Sequence, residues 1–182
     1  MLFKKRKTVL IGVLILAYVL LLIWLASPIV RLHVSGMWFS GMIKTRPAEA
    51  LSLTIYFMDW AVLTRAPLSI NDLKELCHDD LSSVLEPTTC IVHVSYDDLK
   101  NHWKTIQKLE LSGLKLPENE RYLNARLYYV FEMWDSQKIL EVAISEIGEN
   151  AYVNGVEVEY DPVLIEIIAP FIDLNQWEED RS

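Results

Sequence analysis

Charge is missing from a long stretch near the N-terminus of this sequence. No Asp, Glu, Lys or Arg occurs between Thr8 and Val30. A helix of that length, at about 1.5 Å per residue, reaches across the roughly 30 Å hydrocarbon core of a bilayer. A helix of a soluble domain would carry a polar stripe along one side, and this run has none. The sequence therefore predicts one transmembrane helix over residues 8–30, in contact with the lipid bilayer.

Small residues are also missing from the end of this run. A signal peptide has an apolar region of about 7–15 residues that is followed by small residues at the cleavage site. Here Trp24 and Leu25 occupy those positions, and Pro28 follows the best junction, after Ser27. No cysteine lies near the end of the run, which excludes a bacterial lipoprotein. We therefore expect an uncleaved anchor.

Acidic residues are absent before the run, whereas four cations precede it: Lys4, Lys5, Arg6 and Lys7. Because cytoplasmic flanks of membrane helices are rich in Lys and Arg, this tail is expected in the cytoplasm and the rest of the chain across the membrane. The sequence predicts a single-pass protein of the cell membrane with a periplasmic or extracellular domain. Its predicted parts are a cytoplasmic basic tail (1–7), the anchor (8–30), a juxtamembrane segment (31–47), one exported domain (48–175) and a frayed acidic tail (176–182).

The juxtamembrane segment is too apolar for a free tether, since it contains Met37, Trp38, Phe39 and Met42. Aromatic residues favour the boundary between membrane and water. We expect this segment to lie at the membrane interface or to pack on the domain.

Basic charge is scarce in the chain, which has 17 Lys and Arg against 25 Asp and Glu. Four of the basic residues and none of the acidic ones precede Val30, so the exported part carries 13 − 25 = −12. This charge disfavours nucleic acid and anionic lipid surfaces as partners, and it favours solubility or a cationic protein partner. No Asn of the exported part begins an Asn-x-Ser/Thr sequence, which favours a bacterial envelope over a eukaryotic secretory pathway.

The six glycines form no glycine-rich turn between a strand and a helix, so a parallel nucleotide-binding sheet is disfavoured. Alternating or β-branched segments predict strands instead. These are Leu53–Phe57, Trp60–Thr64, Cys90–Val94, Arg126–Trp134 and Lys138–Ser145. The pairs Ser69 with Asp72 and Ser95 with Asp98 resemble capping boxes and predict helices to about Leu81 and Leu111.

The clearest local signal is the dipeptide Asn154-Gly155, which suits the two positive-φ positions of a type I′ hairpin turn. Asp161 then predicts an N-cap and Pro162 the first position of a helix over Val163–Ala169. Together these patterns predict an α+β domain with one mainly antiparallel sheet and about three helices.

Cysteine is limited to Cys77 and Cys90. Paired thiols tend to oxidise outside the cytoplasm, so we predict a disulfide that stabilises the domain by roughly 3 kcal/mol. Two alternatives remain open, namely two buried free thiols or a zinc site completed by His78 and His93, or by Asp79. Because Cys77 and His78 are adjacent and would point apart on a helix, the zinc site is the weaker alternative.

The common hydrolase signatures are absent, since the chain has no Gly-x-Ser-x-Gly and no His-Glu-x-x-His. The residue types of a catalytic triad are present as Ser95 or Ser112 with His102 and Asp97, but Ser95 is better explained as an N-cap. The pairs Asp79-Asp80 and Asp97-Asp98 lie at helix ends, and His93 and His102 fit structural roles. We assign no catalytic, cofactor-binding or metal-ligating residue, expect no cofactor and predict that the protein is not an enzyme.

Three functions fit this sequence. The first is a membrane-anchored envelope protein whose acidic domain acts as a protein-interaction or accessory module. The second is a tethered immunity or inhibitor protein against an envelope-acting toxin or hydrolase, because an acidic domain complements a basic enzyme. The third is an envelope enzyme of an unfamiliar type. The sequence favours the first.

Overall fold

The computed structural model describes residues 2–58, 64, 66–78, 89–107, 111–119, 121–145 and 150–172. The α+β prediction is confirmed, because these residues form one antiparallel six-stranded sheet and five α-helices. The strands are β1 (Leu51–Met58), β2 (Thr89–Val94), β3 (Leu127–Met133), β4 (Lys138–Ile144), β5 (Ala151–Val153) and β6 (Val156–Val158). The helices are α1 (Leu2–Ala26), α2 (Pro28–Thr45), α3 (Ile70–His78), α4 (Tyr96–Ile106) and α5 (Val163–Glu166).

The sheet has the strand order β2-β1-β3-β4-β5-β6 and two different faces. The larger cluster of buried side chains includes Leu53, Tyr129 and Leu140, and it is covered by α2, α4 and α5. The opposite face packs a smaller cluster against α3. The layers are therefore three helices, then the sheet, then α3.

The uncharged N-terminal run does not form one continuous helix. It breaks at Ser27, whose dihedral angles (φ −59°, ψ 130°) are extended rather than helical. The cause is Pro28, since a proline lacks an N–H and pushes the preceding residue out of the helical region. Residues 8–26 of the predicted anchor belong to α1, and residues 28–30 begin α2.

The segment 31–47 packs on the domain, which is one of the two outcomes that its sequence left open. Leu32, Gly36, Phe39 and Ile43 lie along one side of α2 and are buried against the larger cluster. A Cβ atom at Gly36 would lie 3.4 Å from the backbone of Leu111, so glycine lets α2 approach the short 3₁₀ turn Leu111–Gly113 closely. The helix is thus part of the core rather than a linker.

The capping box of Ser69 with Asp72 is confirmed, and Ser95 is confirmed as the N-cap of α4. The N–H of Asp72 donates to Ser69 Oγ (3.2 Å), and the N–H of Ser69 donates back to Asp72 Oδ2 (2.8 Å). At the next helix the N–H of Asp98 donates to Ser95 Oγ (3.2 Å). These side chains satisfy the free N–H groups of the first helical turn. The second helix ends at Ile106, earlier than the expected Leu111.

The hairpin between β5 and β6 turns through Asn154 (φ 49°) and Gly155 (φ 73°). The Asn154 side chain also accepts a bond from the Glu141 N–H at 2.8 Å, which ties the turn to β4. After the hairpin, Asp161 Oδ1 accepts from the Val163 N–H (3.0 Å), and Pro162 has helical dihedral angles (φ −52°, ψ −27°). Helix α5 itself ends at Glu166, and irregular turns continue to Phe171.

Residues 60–63 of the predicted strand 60–64 lie outside the described residues, and Thr64 is described but belongs to no strand. The end of the domain beyond residue 172 and the acidic tail at residues 176–182 also lie outside them.

Candidate functional site

Helix α1 stands away from the domain. Every described side chain from Ile11 to Trp24 is exposed, and most of them are aliphatic. Among the described residues, no single helix has the length and hydropathy of a membrane span. The pair Ile11–Trp24 and Pro28–Thr45 meets both conditions together, with a bend of 70° between its two parts. The side chains of Lys4 to Lys7 lie outside the description, although their backbone belongs to α1.

Helix α2 is apolar on its outer side as well as on its buried side. Three large apolar residues are exposed there, and we call them the outer stripe: Val34, Met37 and Trp38. Met37 and Trp38 are 53% and 39% exposed. Because an ordinary surface helix turns polar residues to solvent, this stripe is a candidate contact surface.

Basic and acidic residues are separated along the chain, and the separation is sharper at residue 48 than at Val30. The first acidic residue is Glu49, and the 48 residues before it carry seven Lys and Arg. The remaining residues carry ten basic and 25 acidic side chains, or 10 − 25 = −15. Helices α1 and α2 are therefore purely cationic, and the domain that follows is strongly anionic.

Two shallow crevices lie where α1 meets α2. The first, of about 280 Å³, is lined by aliphatic side chains together with His33 and Lys115. The second, of about 210 Å³, lies between Arg31 and the β5–β6 turn. The first crevice combines apolar walls with Lys115, and the second carries both Arg31 and Glu157 beside its apolar walls.

The sheet face that carries α3 holds a patch of aromatic and charged side chains, in which the Tyr128 ring is fully buried and the other members are partly or well exposed. We call it the open face; it comprises Tyr56, Lys74, Tyr128, Glu132, Lys138 and Glu141 together with the exposed Ser52. Tyr56 and Tyr128 lie on neighbouring strands with their ring centroids 5.9 Å apart. The ammonium group of Lys74 lies 4.4 Å from the centroid of the Tyr128 ring, a cation–π distance.

Glu141 is the carboxylate to which two other side chains of the open face bind. Its Oε2 accepts bonds from Lys138 Nζ (2.9 Å) and from the Tyr128 hydroxyl (3.0 Å). Burial opposes ionisation of Glu141, but the hydrogen bonds from Lys138 and Tyr128 outweigh it and hold its pKa below the ordinary value. Burial, helped by the charge of Glu141, raises the pKa of Tyr128, and burial lowers the pKa of Lys74. The carboxylate is therefore ionised and the phenol protonated at neutral pH.

The two predicted structural histidines line a cleft of about 260 Å³ beside the edge strand β2. His93 Nδ1 lies 3.3 Å from Thr54 Oγ1, and the His102 ring packs edge-on against Phe171 with centroids 5.3 Å apart. Asp98 also lines the cleft, but its carboxylate accepts from the Ser95 hydroxyl at 2.6 Å. Ser95 thus serves as the cap of α4, as expected from the sequence, rather than as a nucleophile. The Ser112 side chain lies outside the described residues.

The cysteines lie near one strand residue. Cys77 is half-buried in α3 with its Sγ 4.0 Å from the Phe57 carbonyl oxygen, and the backbone of Cys90 pairs with Phe57 across β1 and β2. Cys77 packs against the smaller cluster. The Cys90 side chain lies outside the description, so the disulfide stays a prediction.

Among the residues with described side chains, no three His, Cys, Asp or Glu residues group as metal ligands do. Asp79 and the side chains of His78 and Cys90 lie outside that set. The zinc alternative consequently stays open.

Sequence reasoning missed Arg126, which is only 7% exposed at the start of β3. Its guanidinium contacts Met58 Sδ (3.3 Å) and Thr64 Oγ1 (3.4 Å), and burial lowers its pKa. An arginine directly before an apolar strand resembles an ordinary exposed boundary residue, so the sequence holds no signal for this burial.

No family model, no curated protein and no solved structure matches this chain.

Proposed function

We propose that this protein is a single-pass membrane-anchored envelope protein, with its N-terminus in the cytoplasm, whose extracytoplasmic domain binds a protein partner as an accessory module. Helix α1 is the anchor and the open face is the binding surface. The observation that carries the proposal is the division of the molecule into a helix whose side chains from Ile11 to Trp24 are exposed and mostly aliphatic, and an acidic folded domain.

The anchor is supported by exposure and length. Residues 8–26 of α1 contain no charge, and 19 residues at about 1.5 Å each extend for roughly 28 Å, close to the thickness of the hydrocarbon core. Exposed aliphatic side chains from Ile11 to Trp24 are costly in water and favourable in lipid. The cations Lys4 to Lys7 support a cytoplasmic N-terminus.

A protein partner is supported by the composition of the open face. Tyrosine is enriched at protein interfaces, because it supplies a large contact area together with a hydrogen-bonding end. Tyr56 is half-exposed, and Glu132 and Lys138 flank it with opposite charges. The net charge of −15 beyond residue 48 favours a partner with a basic surface and accelerates its encounter with the domain.

Site-specific photo-crosslinking in intact membranes tests this proposal. A benzoylphenylalanine at Ser52, which is exposed on the open face, is expected to capture a discrete protein. The same group at Lys104, exposed on α4 in the opposite layer, serves as the matched control. Equal capture at both positions, or capture at neither, would contradict a binding role for the open face.

The acidic charge also favours the narrower function of an inhibitor or immunity protein. In that case the protein captured at Ser52 is a basic toxin or hydrolase, and adding the purified protein abolishes its activity. An accessory module leaves the activity of its partner intact or raises it. Assay of the captured partner therefore separates the two functions.

A further inference from the structure

Neither the proposed anchor nor the proposed binding surface explains why the apolar side chains of the outer stripe are exposed. It presents exposed apolar side chains along a helix whose opposite side is buried in the core. A soluble module on a flexible tether would gain nothing from such a surface. What covers the stripe is indicated by three further observations.

The first observation is the angle between the helices. Helix α2 is bent by 70° from α1, so it lies 90 − 70 = 20° from the membrane plane when α1 stands along the membrane normal. Transmembrane helices tilt by about 20° on average. An ordinary tilt of α1 in the appropriate direction therefore brings α2 parallel to the membrane surface.

The second observation is charge. Between Pro28 and Arg46 the chain has Arg31, Lys44 and Arg46 and no acidic residue. Interfacial helices combine an apolar side with flanking Lys and Arg, which meet anionic headgroups. The net negative charge of the domain disfavours anionic lipid. However, its first acidic residue is Glu49, which follows the end of α2 at Thr45.

The third observation is continuity. Only Ser27 separates α1 from α2, so α2 begins at the depth where α1 leaves the hydrocarbon core. Trp38 lies within the stripe, and tryptophan prefers the headgroup level of a bilayer. The crevice lined by Ile29, His33 and Lys115 opens near the same bend and offers apolar walls beside the Lys115 ammonium group.

We propose that α2 lies in the membrane interface with its outer stripe in contact with lipid, so that the domain is held flush on the bilayer. This inference rests on the proposed anchoring of α1. Because the sheet separates α2 from the open face, the open face then points away from the membrane, towards a partner. The lipid surface is the occupant of the stripe, and a second protein is not.

Photo-crosslinking to lipid tests this orientation in the full-length protein. The protein is reconstituted in vesicles of phosphatidylcholine and phosphatidylglycerol with benzoylphenylalanine at position 20, 37, 52 or 104, and lipid adducts are measured by mass. Leu20 reports on α1, Met37 on the outer stripe, Ser52 on the open face and Lys104 on α4. We expect lipid adducts at positions 20 and 37, and several-fold fewer at positions 52 and 104.

Each outcome decides between the proposals. Lipid adducts at position 20 with only background levels of adduct at position 37 would overturn the interfacial placement of α2 but would still support α1 as the anchor. Background at position 20 would show that the anchor itself is wrong. A protein adduct at position 37 in these vesicles would show that a second copy covers the stripe, which also overturns the inference.

A charge substitution gives a second test that leaves the buried side of α2 untouched. Met37→Glu, with benzoylphenylalanine moved to Val34, is expected to reduce lipid adducts several-fold, while adducts at Leu20 in the same background stay unchanged. Lys104→Glu is the matched control and is expected to change neither. Unchanged adducts at Val34 in the Met37→Glu protein would contradict the proposal.

Discussion

Phe39 of α2 packs edge-on against Phe131 of β3, with ring centroids 5.6 Å apart and an angle of 62° between the planes. Both side chains are completely buried. This contact fixes α2 to the centre of the sheet, so the helix that follows the predicted anchor is also a core element.

Replacing Phe39 with Ala is expected to lower the free energy of unfolding by about 3–5 kcal/mol, because it removes a buried aromatic ring and leaves a cavity. Met37→Ala on the outer stripe is the matched control, and in detergent it is expected to change stability by no more than about 0.5 kcal/mol. Chemical unfolding followed by near-ultraviolet circular dichroism measures both. Equal effects of the two substitutions would show that α2 is not docked as the structure describes.

Gly155→Val is expected to destabilise the domain by more than about 1 kcal/mol, because φ at this position is +73° and a β-branched residue resists the left-handed region. The cost comes from the backbone, since the nearest atom to an added Cβ is Arg31 Nη2 at 3.9 Å, an ordinary contact. Gly155→Asn is the control and should cost less than half as much, because Asn tolerates this conformation. Unaltered thermal unfolding of the Val variant would show that the hairpin is peripheral.

The local features of the fold could be predicted because each depends on neighbouring residues. A Ser and an Asp three residues apart satisfy the same helix end, and Asn154-Gly155 supplies its own turn. The break at Ser27 was also readable from Pro28, but the continuous apolar run concealed it. A hydropathy profile shows how long an apolar run is, but it does not register the backbone restriction that proline imposes on the residue before it.

The open face could not be predicted because it depends on pairing between distant strands. Tyr128 and Glu141 meet only when β3 and β4 take their register, and Lys74 reaches them from α3, more than 50 residues earlier in the chain. For α2, the sequence shows that the segment is apolar, but it does not show which side of the helix packs on the sheet. That choice is made by tertiary contacts such as the approach of Gly36 to Leu111.

Stability is expected to depend on pH through Glu141. Its pKa is lowered by folding, so its contribution is fully present above the ordinary value of 4.5 and disappears as pH falls through the lower pKa of the folded state. Glu141→Gln is expected to lower stability at pH 7 by about 0.5–1 kcal/mol, the range for partly exposed ion pairs. The difference from the natural protein should vanish in strongly acidic solution.

Urea unfolding at a series of pH values measures this dependence. Glu118→Gln, in an exposed loop, is the matched control and is expected to change stability by no more than about 0.5 kcal/mol. A difference between the Glu141→Gln variant and the natural protein that is constant from pH 7 to pH 2 would show that ionisation of Glu141 is not linked to folding.

The predicted topology is N-terminus in the cytoplasm and C-terminus outside, because Lys4 to Lys7 precede the uncharged run. An alkaline phosphatase fused after Ser182 is expected to be active, and a β-galactosidase fused there inactive. The reverse pattern would place the domain in the cytoplasm. Replacing all four cations with Gln is the control, and it should weaken the preference for this orientation.

The disulfide between Cys77 and Cys90 remains a prediction that a thiol assay can decide. If the bridge exists, protein purified without reductant resists alkylation even when it is unfolded, and both thiols become reactive together after reduction. Cys77→Ser is expected to cost about 2–5 kcal/mol, and the double Ser variant should cost no more, because one bridge is lost only once.

The other two states of these cysteines give different results in the same assay. Two buried free thiols become reactive on unfolding without reductant. A zinc site would make stability sensitive to chelator rather than to reductant, and His78→Ala or His93→Ala would then mimic the loss of a cysteine. If non-reducing mass measurement finds both thiol protons on freshly purified protein, the disulfide prediction is wrong. The extracytoplasmic location would then depend on the fusion experiment alone.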